Sequence, residues 1–189
     1  GMKMLKGLRI IDIRFPKPMV TAFPGPQFGI DGVRDLLGQS DEDRTMPIMG
    51  TVAKPKVGRT AAEQAILAKR LLTAGNGSYN FIKDDENLTS LPFSKFEDRC
   101  DAVLDALREA EKTTGKKKLY LCNVTHSSID TMQSRAHRIK DHGGICMMMD
   151  VVVTGFAALH SMRLKNPGLA IHAHRAMHAF ITRDSGSGI

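Results

Sequence analysis

Tryptophan is absent from the 189 residues and tyrosine occurs only twice. The aromatic platforms on which single-stranded nucleic acids stack are therefore scarce. Cysteine occurs three times, as Cys100, Cys122 and Cys146, too few and too scattered for a disulfide framework or a CxxC metal site. That usage fits a reducing, cytoplasmic setting. No apolar run approaches the roughly 18 residues that cross a bilayer. The longest, Ile145 to Val153, is broken by Asp150, so no membrane partner is expected. The phosphate-loop pattern GxxxxGK followed by Ser or Thr is missing, as is a strand-borne GxGxxG. Acidic residues are in the minority: 20 Asp and Glu against 27 Lys and Arg leave a formal charge of +7. The basic residues are dispersed, and the densest run, Lys116-Lys117-Lys118, reads as a solvated loop. Without aromatics beside it, the charge argues for phosphorylated small molecules or acidic partner surfaces and against nucleic acid.

Beyond residue 45, strand-like and helix-like segments alternate. Ile48–Val57, Tyr79–Ile82, Leu119–Val124, Ile145–Val153 and Leu169–His174 read as strands. Between them, Ala61–Leu72, the run Phe93, Phe96, Cys100, Val103, Leu107, Ala110, the set Ile129, Met132, Ala136, Ile139, and the set Phe156, Leu159, Met162 follow the helical period. Ala176–Thr182 opens a last helix. This alternation predicts an α/β fold with a parallel sheet of right-handed crossovers, closed as a (β/α) barrel or left as a doubly wound sheet. Residues 1–45 differ. Leu8–Phe15 reads as a short strand, Asp31–Leu37 as a short helix and Gln39–Thr45 as a connector.

Polar residues gather where the strands end. In Lys83-Asp84-Asp85-Glu86-Asn87 the strand period of 2 places Lys83 and Asp85 on one face. Paired carboxylates there suit a hard cation such as Mg²⁺, although the lysine would repel it unless modified or paired. The alternative is a charged surface turn. Lys54 and Lys56, either side of Pro55, point the same way and repel each other unless an anion sits between them. A lysine tuned by such a neighbour can act as a base. His172 and His174 share a face ahead of Arg175. A guanidinium among zinc ligands would be repulsive, so histidine as base beside an arginine that clamps phosphate is the better chemistry. The alternative is buried structural histidines, which is the preferred reading for His178. Asn123, Thr125 and Asp150 end neighbouring strands and read as structural.

Four stretches carry a family resemblance: Gly50-Thr-Val-Ala-Lys-Pro-Lys-Val-Gly58, Phe81-Ile-Lys-Asp-Asp-Glu-Asn-Leu-Thr-Ser90, Met149-Asp-Val-Val-Val-Thr-Gly155 and Leu169-Ala-Ile-His-Ala-His-Arg-Ala-Met-His178. In order and spacing they resemble the large chain of ribulose-1,5-bisphosphate carboxylase/oxygenase (Rubisco), most of all the archaeal-type form III enzymes. The resemblance implies the first five strands of a (β/α)₈ TIM barrel at residues 46–189, truncated relative to the whole chain. Residues 1–45 would be the end of an N-terminal α+β domain with its connector. It implies Lys83 as the lysine that CO₂ converts to a carbamate, giving with Asp85 and Glu86 three oxygen ligands for Mg²⁺. It implies Lys54 as the base that takes the C3 proton of the sugar bisphosphate and Lys56 as a substrate-binding lysine. His174 would be a second base and Arg175 a phosphate clamp, with Asn87, Asn123, His172 and His178 in support.

The activity implied is enolisation of ribulose 1,5-bisphosphate with carboxylation by CO₂ or oxygenation by O₂, a lyase that doubles as a monooxygenase-type oxidoreductase. The family's lysine-bearing loop after strand six and its later phosphate site lie beyond this sequence. Near the end, Asp184-Ser-Gly-Ser-Gly stands where the family has Asn-Pro-Lys-His-Gly. Two further expectations stay open: a Rubisco-like enolase or isomerase of a phosphorylated sugar-like substrate, and a non-enzymatic half-barrel that self-associates. The half-barrel predicts a homo-oligomer or a complementing chain segment.

Overall fold

Apolar residues two apart in the strands and three or four apart in the helices settle into two separate cores, one on each face of a single sheet. The structure, a computed structural model, describes residue 4, residues 7–77 and residues 79–185; the Gly-Ser-Gly-Ile tail at 186–189 lies outside them. Five strands, β1 (Gly50–Val52), β2 (Phe81–Lys83), β3 (Leu119–Asn123), β4 (Cys146–Asp150) and β5 (Ala170–His174), pair in parallel in their chain order. A doubly wound sheet reverses its strand order at a switch point. This one does not, so the barrel-type winding is the one adopted.

The crossovers run through α3 (Ala61–Gly77), α4 (Phe96–Thr114), α5 (Ile129–Asp141) and, after the short α6 (Val151–Thr154), α7 (Phe156–Leu164). Their apolar stripes bury Leu72, Phe96, Val103, Ile139 and Met162 against Ile82, Tyr120, Cys122, Met147 and Met149 of the strands. Gly115 ends α4 in the left-handed conformation, φ 66°, with its N–H on Glu111 O, as a helix C-terminus requires. The opposite strand face carries Leu119, Leu121, Cys146, Met148 and Ala170. It is covered by Phe28, Val33, Leu36 and Leu37, from and beside α2 (Gly29–Leu36), which follows the five-residue α1 (Lys17–Thr21). The polar C-terminal ends of the strands stay open.

Three readings change. Leu8–Phe15 forms no named strand; it holds a single β-bridge at Arg9, and Leu8, Ile11 and Phe15 are exposed, so no packed face forms for a strand to bury. The apolar run at 145–153 is not one strand: it turns at Asp150 into α6, whose backbone ends at Gly155 with φ 89°. Lys118 is buried and not solvated, its ammonium donating to Gly77 O at 2.7 Å and Tyr79 O at 2.6 Å. Lys116 and Lys117 are exposed as expected. The last helix, α8, is short, at Ala179–Thr182. Among the described residues no helix is long and apolar enough to cross a membrane.

Candidate active site

The chain leaves β2 at Lys83, and the next three residues diverge. Asp84 turns toward the helices, where its carboxylate accepts from Tyr120 Oη at 2.7 Å, Arg99 Nε at 3.2 Å and the Asn123 backbone N–H at 3.0 Å. Asp85 turns the other way, and its side chain is fully buried. Lys54 donates to one of its oxygens, and Lys56 Nζ stands 3.3 Å from the other. The anion required between the two lysines is therefore Asp85. Asn87 adds its backbone and side-chain N–H groups, each 3.0 Å from Asp85 Oδ1. Burial alone would raise the Asp85 carboxyl, but the hydrogen bonds from Lys54, Asn87 and Lys56 outweigh it and hold it well below the usual carboxylate range. Pairing with Asp85 in turn raises Lys54, so this is the protonated form of that amine. Lys83 Nζ donates to Asp84 O at 2.8 Å and lies 3.8 Å from Glu86 Oε2.

The ends of β3 and β4 support this loop. Asn123 Nδ2 donates to Glu86 O at 3.0 Å and reaches Asp150 Oδ2 at 3.4 Å. Thr125 Oγ1 donates to the same Asp150 oxygen at 3.2 Å. On β5 the rings of His172 and His174 lie 5.9 Å apart, and His174 Nδ1 is 3.2 Å from Asp150 Oδ1. Over these groups opens a cleft of about 750 Å³ lined by Glu86, Asn87, Thr125, Asp150, Met177 and Phe180. Arg175 and His178, outside that lining, pair with each other, and Thr182 Oγ1 meets His178 Nδ1 at 3.2 Å. Their described contacts do not include the carboxylates.

Burial, reinforced by the positive charges of His174 and Lys83, lowers His172 to about 4. Its ring is neutral at physiological pH, which suits support and not phosphate binding. The unfolded ring titrates near 6.5, so between that pH and about 4 the unfolded chain takes up a proton that the folded one does not. Stability is thus expected to fall as pH drops through this window. Urea unfolding should show a smaller fall across it in His172→Gln than in the unmodified chain; equal slopes would contradict this.

Sequence reasoning missed two anchors. Asp84 reads as one more acid in an acidic run, although the period of 2 already sends it to the helix side. Arg99 occupies a helix position that looks solvated, yet it is fully buried. Asp150, read as structural, reaches the site through His174.

The model of the ribulose bisphosphate carboxylase large chain, catalytic domain, matches residues 29–189. A curated relative, the ribulose bisphosphate carboxylase of Methanocaldococcus jannaschii, is 46% identical over 189 residues, which is all of this chain and 43% of that protein. Among solved structures, the dimeric archaeal Rubisco from Hyperthermus butylicus superposes with a TM-score of 0.90 at 44% identity, over all of this chain and 42% of that one. A Rubisco-like protein from Burkholderia fungorum superposes with a TM-score of 0.88 at 33% identity, over 96% of this chain and 43% of that one. The chain thus spans less than half the length of its relatives. Within that span the match is continuous from α2 onward and includes every strand that brings a polar side chain to the cleft: the chain belongs to the Rubisco large-chain family.

Proposed function

We propose that this chain supplies the metal-binding and proton-abstracting part of a Rubisco active site, which converts ribulose 1,5-bisphosphate and CO₂ (or O₂) to 3-phosphoglycerate-type products. The observation that carries this reading is the meeting of Lys54, Lys56 and Lys83 with Asp85 and Glu86 at the ends of β1 and β2. The donor set suits Mg²⁺. Asp85 and Glu86 offer hard oxygens, and among the described residues no three His, Cys, Asp or Glu side chains are placed to hold a metal ion. One anionic donor is lacking, and Lys83, beside Glu86, is the amine that CO₂ would convert into it as a carbamate. When bound, Mg²⁺ supplies Lewis-acid polarisation of the substrate carbonyl.

The chain's own groups do the rest. Lys54 takes the C3 proton, and it can do so only as the free amine, with Asp85 otherwise engaged. Lys56 binds the substrate near the reacting carbon. His174 is the second base, and Arg175, oriented by His178, clamps a phosphate. Asn87 and Asn123 hold the loop that carries Asp85 and Glu86, and His172 packs as a neutral ring beside His174.

Residues 46–189 are read as the first half of the barrel and residues 1–45 as the end of the preceding domain. Among the described residues β1 and β5 pair on one side only. An apolar cleft of about 830 Å³ flanks β5, lined by Phe23, Phe28, Ile48, Phe156, Leu159 and Ile171. Unpaired edges beside apolar surface favour association, either as a homo-oligomer or with a complementing Rubisco segment in the cytoplasm.

The carbamate is testable directly. With ¹³C-labelled bicarbonate and Mg²⁺, the chain is expected to show one Mg²⁺-dependent carbamate carbon signal, absent from Lys83→Gln. A signal that survives that change would assign the carbamate elsewhere. The similarity to the Rubisco-like protein favours one other reading, enolisation or isomerisation of a related phosphorylated substrate. Rearranged substrate in place of carboxylated product would identify it.

A further inference from the structure

Asp150 and His174 are register partners on adjacent parallel strands, so their side chains stand on the same face, beside the cleft that Asp150 lines. The Asp150 carboxylate is buried and its two oxygens are treated differently. Oδ2 receives Asn123 Nδ2 and Thr125 Oγ1, and Thr125 Oγ1 itself accepts the Asp150 amide at 2.9 Å. Oδ1 is buried and has no hydrogen-bond donor, although His174 Nδ1 is 3.2 Å away. That nitrogen also lies 3.1 Å from the Ala176 N–H. One ring nitrogen therefore faces a donor and an acceptor, and it can serve only one of them.

We propose that Asp150 is a positioning residue that holds the His174 proton on Nδ1, leaving Nε2 as the proton acceptor. The competition is uneven. The Ala176 amide is half-buried at a strand end, where water can replace the ring. The Asp150 oxygen is buried, and an unpaired charged acceptor there costs more than an amide turned to solvent. A bond to the carboxylate is also charge-assisted, roughly twice the strength of a neutral one. Burial pushes the Asp150 carboxyl up, against the hydrogen bonds from Asn123 and Thr125 and the charge of His174, which bring it down. His172, neutral beside it, does not compete as a cation. A proton accepted at Nε2 then leaves an imidazolium whose charge lies next to the carboxylate, the arrangement by which an aspartate orients and supports a histidine base.

This inference rests on the reading of His174 as a base, and the test separates the two. The chain is labelled with ¹⁵N-histidine and its ring nitrogens are read by two-bond ¹⁵N–¹H correlation, at a pH where the imidazole is neutral. The His174 signals are those absent from His174→Gln. In the unmodified chain Nδ1 is expected to carry the proton and Nε2 to be bare. In Asp150→Asn the donors from Asn123 and Thr125 keep the amide oxygen at the Oδ2 position. The new NH₂ then points at Nδ1, and the two nitrogens should exchange character. A proton on Nε2 in the unmodified chain overturns the proposal, as does an unchanged Nδ1–H in Asp150→Asn. If Asp150→Asn fails to fold, the unmodified spectrum decides alone. Absence of the Lys83 carbamate alongside an Nδ1–H at His174 would remove the carboxylase reading and leave the pairing in place.

Discussion

Arg99→Leu is expected to destabilise the fold by about 3–5 kcal/mol, the cost of leaving one member of a buried ion pair uncompensated. Arg99 is fully buried on α4. Its guanidinium donates to Asp84 Oδ2 at 3.2 Å, Ser94 O at 3.1 Å, Leu88 O at 3.1 Å and Thr89 O at 2.8 Å. It therefore binds both ends of the loop that follows β2. Burial works against the charge on Arg99, but the Asp84 carboxylate outweighs it and raises the guanidinium further. Leucine would fill much of the space but leave Asp84 charged and the loop carbonyls unpaired. Arg99→Lys should recover only part of the loss, because one ammonium cannot reproduce the planar fork. Urea unfolding measures both variants. A change of under about 1 kcal/mol for Arg99→Leu, the range of an ordinary surface substitution, would mean the loop is held by something else. The consequence for function is direct, since Asp84 and Asp85 are adjacent and whatever anchors one aims the other.

Lys83→Ala should have the opposite profile, with little effect on stability and a large one on activity. Among the described residues Lys83 donates one hydrogen bond, to the Asp84 carbonyl, and makes one longer approach to Glu86. Its loss should cost about 1 kcal/mol of stability or less. If Lys83 provides the third oxygen donor, its loss removes Lewis-acid stabilisation worth several kcal/mol. At 1.36 kcal/mol per factor of ten, the rate in an assembly that completes the barrel should fall on the order of 10³-fold. Steady-state carboxylation by that assembly, with and without the substitution, measures it. Activity within about tenfold of the parent, a change of under roughly 1.4 kcal/mol, would refute the carbamate assignment.

Periodicity made much of this legible. The 3- and 4-residue spacings from Phe96 to Ala110 form one buried helix stripe, and the runs read as strands at 119–124 and 145–153 contain the two fully buried ones, β3 and β4. The step of 2 between Lys54 and Lys56 aims both amines at one anion, and Asp85 is that anion. What stayed hidden depends on partners distant in sequence. Lys118 is buried because the carbonyls that end α3 lie over it, 41 residues away. Val151–Thr154 has the composition of a strand, but the side chain of Asp150 is taken up by Thr125 and the chain turns there. Leu8–Phe15 has the composition of a strand too, but only Arg9 bridges there and its apolar side chains stay exposed. Arg99 and Asp84 each look like surface charges, and only the fold shows that each is the other's counter-ion.

The measurement that bears most directly on the central claim is fixation of labelled CO₂ with ribulose 1,5-bisphosphate and Mg²⁺. It is made with this chain alone and with this chain mixed with a polypeptide carrying the remaining strands of the barrel. Acid-stable label in 3-phosphoglycerate from the mixture, and none from either part alone, is the predicted result. Fixation by this chain alone would contradict the division of the site between two halves. Label-free, rearranged bisphosphate from the mixture would contradict carboxylation itself.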